Sequence, residues 1–214
     1  MRHGITGGNS PGKRIIQILS AFNCRFWGPN TRFTPEFIAD FQRKTEQLWS
    51  RATICSDIYG FQFQRGTRWI WGLPEAQIAA YESAVDAKFP DDFRKMLGAI
   101  NGTDMATLNV YGGQSAPRES VGVYSYPRDL QHVRQRISDL AEDRDGITTE
   151  LAKQGFTLHP DARLVPIFSH RYVVCDSDTA SCLVLSIVGT DAIVYGKTLR
   201  TYLEKEFLRG HAKT

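Results

Sequence analysis

The sequence lacks the short motifs that mark the common catalytic and metal-binding sites. It contains no GxSxG nucleophile elbow, no HExxH zinc motif and no EF-hand loop. We therefore expect a non-enzymatic protein with no catalytic residue, no cofactor and no metal site. Its five histidines are scattered through the chain without the spacing of metal ligands: His3, His132, His159, His170 and His211.

Cysteines are few, and long apolar runs are missing. Cys24, Cys55, Cys175 and Cys182 form no CxxC pair and have no histidine at zinc-finger spacing. We expect reduced, mostly buried thiols of a cytoplasmic protein; a bridge between Cys175 and Cys182 across a hairpin is a second interpretation.

No stretch approaches the roughly 18 apolar residues of a membrane helix, and the N-terminus has no apolar run typical of a secretory signal. The sequence therefore predicts no membrane partner.

Neither sign of charge is in large excess. The formal net charge is only +3, which does not indicate a nucleic-acid partner. It is unevenly spread, since residues 1–68 contain 10 Lys/Arg and 4 Asp/Glu, whereas residues 69–214 contain 16 and 19. The basic part fits an acidic partner, but an ordinary solvated surface is the simpler explanation.

Aromatic residues on predicted strands raise the question of base stacking. Trp69, Trp71, Tyr124 and Tyr126 alternate along these strands, as stacking platforms for nucleic acid do. Lys and Arg do not interleave them densely, so packing in the core and across strands is the better explanation. We expect no nucleic-acid partner.

Residues 7–14 nearly match the phosphate-binding P-loop. Gly7, Gly12 and Lys13 occupy its first three fixed positions, but Arg14 stands where a Ser or Thr hydroxyl would bind Mg²⁺. The six residues before Gly7 do not form a buried strand that would hold the loop rigidly. We therefore expect no nucleotide site here.

Residues 89–102, FPDDFRKMLGAING, predict a well-specified short helix. Pro90 suits the first helical position because its ring fixes φ and its missing N–H is not needed there. Apolar side chains then recur at helical spacing. Asn101-Gly102 closes the run, since both residues tolerate the left-handed conformation that ends many helices.

The remaining patterns alternate between helix and strand and predict an α+β fold. The clearest helix start is Thr34-Pro35-Glu36, with a cap, an N1 proline and a first-turn acid, and this helix extends to about Arg51. Residues 58–71 predict a hairpin with its turn at Arg65-Gly66. We further predict helices at 75–89, 129–142, 148–154 and from Thr198, and strands at 107–111, 121–126, 163–168 (an edge strand, because of Pro166), 171–175, 182–188 and 191–195.

A charged and hydrogen-bonding group follows a predicted strand end at residues 170–172. If the last strands pair in sequence order, Asp191 and Tyr195 lie near His170 and Arg171. The group then forms either a partner-binding site or a buried ion-pair network that holds the sheet, and the structural interpretation is slightly favoured. A catalytic triad of Ser169, His170 and Asp191 is disfavoured, because it needs a geometry that sequence does not show.

A second acidic group lies in a predicted hairpin loop. Asp176, Ser177 and Asp178 follow one another, in a pattern able to bind a cation. Asp and Ser also favour turns through local hydrogen bonds to the backbone, and the turn is the better explanation.

Several segments, in this order along the chain, resemble the Smi1/Knr4 family, also called the SUKH superfamily. The similarity covers roughly residues 72–208 and consists of an acid-bearing helix, a Phe-Pro-x-x-Phe corner with an Asn-Gly helix end, a strand followed by glycine, an "lvPi" strand, and a closing strand pair with its helix. The segments that carry it are the helix with Ile78 and Glu82, FPDDFRKMLGAING (89–102), LNVYGG (108–113), RLVPIF (163–168) and LVLSIVGTDAIVYGKTLRTYLEKEF (183–207).

The resemblance implies an α+β domain over residues 72–214, with a mixed, largely antiparallel sheet flanked by helices and a preceding extension at 1–71. It also implies a binding role. Many bacterial members of the family are immunity proteins that neutralise a cognate toxin, often a nuclease, in the cytoplasm, whereas fungal relatives are regulatory interaction proteins. The matched positions, Pro90, Asn101 and Gly102 among them, imply structural roles and no catalytic one.

The expected function is therefore a protein-binding module, an immunity protein that covers a toxin's active site or substrate groove. A nuclease groove is usually basic because it receives phosphates. The acidic residues Asp176, Asp178 and Asp191, together with His170, Arg171 and Tyr195, are the candidates for partner contact. A regulatory or scaffold protein without a toxin is the alternative, and an enzyme or ligand sensor using the His170–Tyr195 region is a third hypothesis.

Overall fold

The computed structural model describes residues 33–111, 116–176 and 182–209. The P-loop-like residues 7–14, Cys24 and Asp178 lie outside these ranges. Within them the protein is α+β, as predicted. Its helices are α1 (Pro35–Trp49), α2 (Glu75–Val85), α3 (Asp91–Ala99), α4 (Leu130–Glu142), α5 (Arg144–Lys153) and α6 (Leu199–Leu203), which continues as a π-helical segment (Glu204–Arg209). Its strands are β1 (Gly60–Phe63), β2 (Trp69–Trp71), β3 (Ile100–Thr103), β4 (Thr107–Val110), β5 (Arg118–Ser120), β6 (Arg163–Phe168), β7 (Arg171–Cys175), β8 (Val184–Val188) and β9 (Asp191–Gly196).

The strands form three antiparallel sheets in the described residues, with orders β1-β4-β5, β2-β3 and β6-β7-β8-β9. The last sheet is a meander in which the four strands pair in sequence order, and the antiparallel pairing of β7 with β8 is that of the hairpin predicted there. Pro166 lies in β6 at the edge of this sheet, where its missing N–H removes no ladder bond to a further strand.

Both faces of the four-stranded sheet are covered, in keeping with its nearly continuous apolar runs. On one face Val173 and Val184 pack into the large core that also holds Phe41 and Trp49 of α1. On the other face alternate residues pack against the buried side chains of α4 and α5, in a second cluster. The period of two along each strand divides its side chains between the two clusters.

The hairpin predicted at residues 58–71 is wrong, although both of its strands exist. β1 pairs with β4 and β2 pairs with β3, so the two strands belong to different sheets. Helix α1 binds the backbone between them. Gly66 N donates to the Trp49 carbonyl at 3.0 Å, and Trp69 N donates to Glu46 Oε1 at 3.0 Å. These tertiary hydrogen bonds replace those of a local hairpin.

Residues 33–71 share their sheets with later parts of the chain. Because β1 and β2 take their partners from residues 100–110, the described part of the predicted extension lies in the same compact unit as residues 72–209. Its aromatic side chains enter the same core. The indole of Trp49 stacks on the ring of Phe63, with centroids 4.3 Å apart.

The strand predicted at 121–126 is also displaced. The regular strand β5 comes earlier, and residues 121–126 contribute only the bridge from Val123 to Phe168. In this segment, side chains form hydrogen bonds with backbone groups that would pair with a neighbouring strand if the segment were a regular strand. Asn101 exchanges two hydrogen bonds with Tyr126, donating to its carbonyl at 2.7 Å and accepting from its N–H at 2.9 Å. The Asp129 carboxylate accepts from Ser125 N at 2.8 Å.

The FPDDFRKMLGAING stretch forms its helix with shifted ends. Pro90 is the N-cap of α3 rather than its first residue, and the helix ends at Ala99. Asn101-Gly102 does not end the helix, because the chain turns directly into β3, and Asn101 has no positive φ. Gly102 does have φ +80°, and a Cβ there would lie 2.7 Å from the Cβ of Ser125. Close approach and a left-handed backbone both require glycine at this position.

A buried ion pair fixes the corner between α2 and α3. Glu82 of α2 is 5% exposed. Its carboxylate accepts a hydrogen bond from Phe89 N at 2.8 Å and pairs with the guanidinium of Arg94 in α3. Arg94 also pairs with the exposed Glu75. The hydrogen bond that Arg94 donates to Glu82 is the first cause of the raised pKa of Arg94.

Candidate functional site

The predicted cluster around Arg171 forms on one face of the four-stranded sheet. Arg171 lies opposite Ser186, which lies opposite Ile193, so the three side chains point to the same face from β7, β8 and β9. Tyr195 is two residues further along β9 and shares this face. The strand pairing therefore brings Arg171 and Tyr195 together, as sequence order suggested.

Arg171 is the centre of a mostly buried polar network and is only 9% exposed. Its Nε donates to Glu206 Oε2 at 2.9 Å, and its Nη1 donates to Ser186 Oγ at 2.9 Å. Its Cζ lies 4.0 Å from the centroid of the Tyr195 ring. Burial lowers the pKa of Arg171, but Glu206, Tyr195 and Tyr202 together outweigh this and leave the pKa raised. Arg171 is a permanently charged structural cation.

A second cation covers Tyr195 from the π-helical segment. Lys205 Nζ lies 3.7 Å from the ring centroid and 3.3 Å from the carbonyl oxygen of Tyr195, to which it donates. Burial, followed by the charge of Glu206, raises the pKa of the Tyr195 hydroxyl. Two cations and a carboxylate thus enclose the ring, and this inner part of the cluster is a structural network.

His170 and Ser169 lie at the turn between β6 and β7, without the third member of a triad. Ser169 Oγ lies 3.1 Å from His170 Nδ1. Asp191 lies at the exposed start of β9, two strands away from β7 in the sheet. Burial, then the charges of Arg171 and Arg136, lowers the pKa of His170 to about 4. The geometry gives no Ser-His-Asp relay, and His170 is neutral at neutral pH.

The depressed pKa of His170 predicts a loss of stability in mild acid. The unfolded chain takes up this proton near pH 6.5, whereas the folded protein takes it up only near pH 4. His170 therefore costs stability as the pH falls from 6.5 to 4. We expect His170→Gln to remove about 2 kcal/mol of this loss, allowing for partial solvent screening. Urea unfolding at pH 7, 5.5 and 4.5 measures it, with exposed His132→Gln as the control; equal slopes for the two variants would contradict the prediction.

The outer part of the same face is exposed and apolar. We call Val188, Asp191 and Ile193 the β8–β9 rim. Val188 is 64% exposed and Ile193 is 39% exposed, and Asp191 lies directly opposite Val188. The sequence does not mark Val188 and Ile193 as exposed, because the apolar pattern of both strands is that of buried strands.

The predicted acidic contacts do not form one patch. Asp191 belongs to the rim, beside the β8–β9 turn, whereas the half-buried Asp176 follows the end of β7. In an antiparallel meander these two positions lie at opposite ends of the sheet. Asp178, the third acidic residue, is outside the described residues. Of the two described residues, only Asp191 lies beside exposed apolar side chains.

Trp71 differs from the packing expected for the aromatics. Trp69 and Tyr124 are buried, and Tyr126 stacks on Tyr81 with centroids 4.7 Å apart. Trp71, in contrast, is 91% exposed. The register of β2 and β3 shifts between Trp69 and Trp71, and this irregularity separates two side chains that simple alternation would put on one face.

Two surface grooves lie elsewhere, and no predicted site residue lines either one. A groove of about 450 Å³ runs between α2 and α3, with Leu73, Ile78 and Gly98 in its wall. A second, of about 390 Å³, lies beside β5 and includes Arg128 and Asp129. In residues 33–111, 116–176 and 182–209, no group of three or more His, Cys, Asp or Glu side chains is placed to hold a metal ion.

Comparison with protein-family models, curated proteins and solved structures finds no match to this chain. The resemblance to the Smi1/Knr4 family stays a prediction that rests on the segments named above. Among the helices of the described residues, none is long and apolar enough to cross a membrane.

Proposed function

We propose that this protein is a non-enzymatic binding module of the cytoplasm and that it neutralises a toxin of the nuclease type. The observation that carries the proposal is the β8–β9 rim, where two exposed apolar side chains flank an exposed carboxylate on an otherwise covered sheet face. Exposed apolar side chains beside a rigid sheet are typical of protein interfaces. The resemblance to immunity proteins supplies the class of partner.

The mechanism we propose is steric and electrostatic. The Arg171–Glu206 pair and Tyr195 hold β7, β8 and β9 together beside the rim, on the same face of the sheet, so binding does not have to order this surface. Val188 and Ile193 supply apolar contact, and Asp191 supplies a negative charge to a basic phosphate-binding groove. His170, Arg171 and Tyr195 then act as supports of the contact surface rather than as its outermost residues.

The test begins with the partner. A pull-down from the native cell is followed by a growth-rescue assay with any toxin recovered. With that toxin, Asp191→Lys should weaken binding at least about tenfold, because it places like charge against a basic groove. Isothermal titration at two salt concentrations measures the loss and its salt dependence.

Asp161→Lys is the matched control, since Asp161 is exposed and precedes β6 at the opposite end of the sheet. Equal affinity of Asp191→Lys and the unaltered protein would remove the rim from the interface. A recovered partner without toxin activity, with no toxin gene beside this one, would favour a regulatory or scaffold protein. A bound small molecule without a protein partner would favour an enzyme or ligand sensor.

A further inference from the structure

Two cysteines lie directly opposite each other where β7 and β8 lead into their connection. Val174 N donates to the Leu183 carbonyl at 2.9 Å, which continues the register of the two strands. The next pair in this register is Cys175 and Cys182. Because the preceding pair is the hydrogen-bonded one, the cysteines form a non-hydrogen-bonded pair, whose Cα atoms are typically about 4.5 Å apart. That separation lies within the range of disulfides.

The burial pattern confirms that both thiols point to the same side. Cys175 and Cys182 belong to the large core together with Val184, whereas Leu183 faces the second cluster. Both side chains are buried, and both are free thiols in this structure. The alternation therefore continues through Cys182, and the two cysteine side chains lie on the same face of the sheet.

The surroundings distinguish the two thiols. Pro90, the N-cap of α3, offers no side-chain acceptor to the first turn of the helix. A hydrogen bond with the backbone of Phe93, in that turn, favours the thiolate of Cys182. Burial outweighs this and raises the pKa of Cys182 well above its ordinary value, and burial also raises the pKa of Cys175. Both groups are therefore protonated at neutral pH, and their reaction requires a transient local opening of the ends of β7 and β8.

We propose that Cys175 and Cys182 are a redox pair that closes the β7–β8 connection by a disulfide when the protein meets a small-molecule disulfide such as oxidised glutathione. One thiolate of the pair attacks one sulfur of the oxidant, and one glutathione leaves as a thiolate that takes up a proton. The thiolate of the other cysteine then attacks the protein sulfur of this mixed disulfide and releases the second glutathione. Two protein thiols are oxidised, and one molecule of glutathione disulfide is reduced to two of glutathione.

The bond would close a ring of residues 175–182, which contains Asp176. A cross-link of this kind restricts the unfolded chain and leaves the paired strands in their register. We expect the melting temperature to rise by about 5 °C on oxidation. The inference stands on strand register and does not depend on the proposed toxin partner.

The test uses the full chain with Cys24→Ser and Cys55→Ser, which leaves the pair as its remaining cysteines. The folded protein is incubated with oxidised glutathione, alkylated and digested with trypsin. Residues 172–197 contain both cysteines and no Lys or Arg before Lys197, so they form one peptide. After oxidation we expect this peptide to carry no alkyl group and to weigh about 2 Da less than the dithiol peptide, because two hydrogens are lost. A reductant should restore the dithiol mass, and the oxidised protein should show the higher melting temperature.

Cys175→Ser in the same background is the control, and it should yield a mixed glutathione disulfide without the rise in melting temperature. Diamide provides a second oxidant that reaches buried thiols more readily. The inference is overturned if neither oxidised glutathione nor diamide oxidises the pair in the folded protein, so that both thiols can still be alkylated, while the same treatment oxidises the urea-unfolded protein. It is also overturned if the mixed disulfide persists with Cys175 present.

Discussion

Replacing Glu82 with alanine should lower the free energy of unfolding by about 3 kcal/mol. The Glu82 carboxylate is buried at the α2–α3 corner, where it accepts from Phe89 N at 2.8 Å and pairs with Arg94. Without it, the Phe89 N–H and the Arg94 guanidinium both lose their buried acceptor. The buried Phe89 N–H is then left without its acceptor, and among the described residues Arg94 keeps only the exposed Glu75 as its partner. The unsatisfied N–H and the lost ion pair together set the size of the effect. Urea unfolding followed by circular dichroism measures the loss.

Two further variants separate the contributions at this corner. Glu82→Gln keeps an acceptor for Phe89 N but removes the charge, so it should lose less than Glu82→Ala. Glu75→Ala is the matched control, because Glu75 pairs with the same Arg94 but is exposed to solvent. We expect it to cost less than about 1 kcal/mol. Equal losses for Glu82→Ala and Glu75→Ala would mean that the buried carboxylate has no special role.

The corner illustrates what the sequence predicts well. Pro90 and the apolar spacing after it predict α3 within about one residue, because both act through local backbone geometry. The hydrogen bond from Phe89 N to Glu82 joins residues seven apart, across a turn, and no periodicity reveals it. The sequence predicts a role for the backbone of Asn101 at the helix end. In the structure its side chain instead forms hydrogen bonds with the backbone of Tyr126, 25 residues further along the chain.

The two halves of the chain differ in the same way: local sequence predicts the strand pairing of the last third, but it does not predict the pairing of the first. The strands of the last third were predicted because each apolar run is bounded by turn residues and pairs with its neighbour in sequence. β1 and β2 were paired wrongly because their partners, β4 and β3, lie farther along the chain. The energy that selects those partners comes from aromatic packing around Trp49, which local patterns do not encode.

The candidate site was predictable only where its residues share a sheet. Arg171 and Tyr195 come together because β7, β8 and β9 pair in order. Glu206 and Lys205 come from the π-helical segment, and their approach depends on how that segment crosses the sheet. The exposure of Val188 and Ile193 is likewise a property of the tertiary structure that the pattern of their strands does not show.

Arg171→Met should be the most destabilising change in the cluster, at about 3–5 kcal/mol. The substitution keeps much of the apolar volume but removes the partner of the mostly buried Glu206 carboxylate and the donor to Ser186. It also removes the cation over Tyr195. Urea unfolding gives the free energy, and the exposed pair of Lys153 and Glu150 provides a control in which Lys153→Met should have little effect.

A double-mutant cycle decides whether the unpaired carboxylate is the cause. Arg171→Met with Glu206→Gln removes both charges, so the double variant should recover much of the loss, with a coupling energy of about 2 kcal/mol or more. Simple additivity of the two single losses would locate the cost in packing against Tyr195 instead. Because the network lies beside the rim and not within it, Arg171→Met should weaken partner binding only as far as it lowers the fraction of folded protein. Asp191→Lys, in contrast, should weaken binding at unchanged stability. The two variants thus separate the support of the surface from the surface itself.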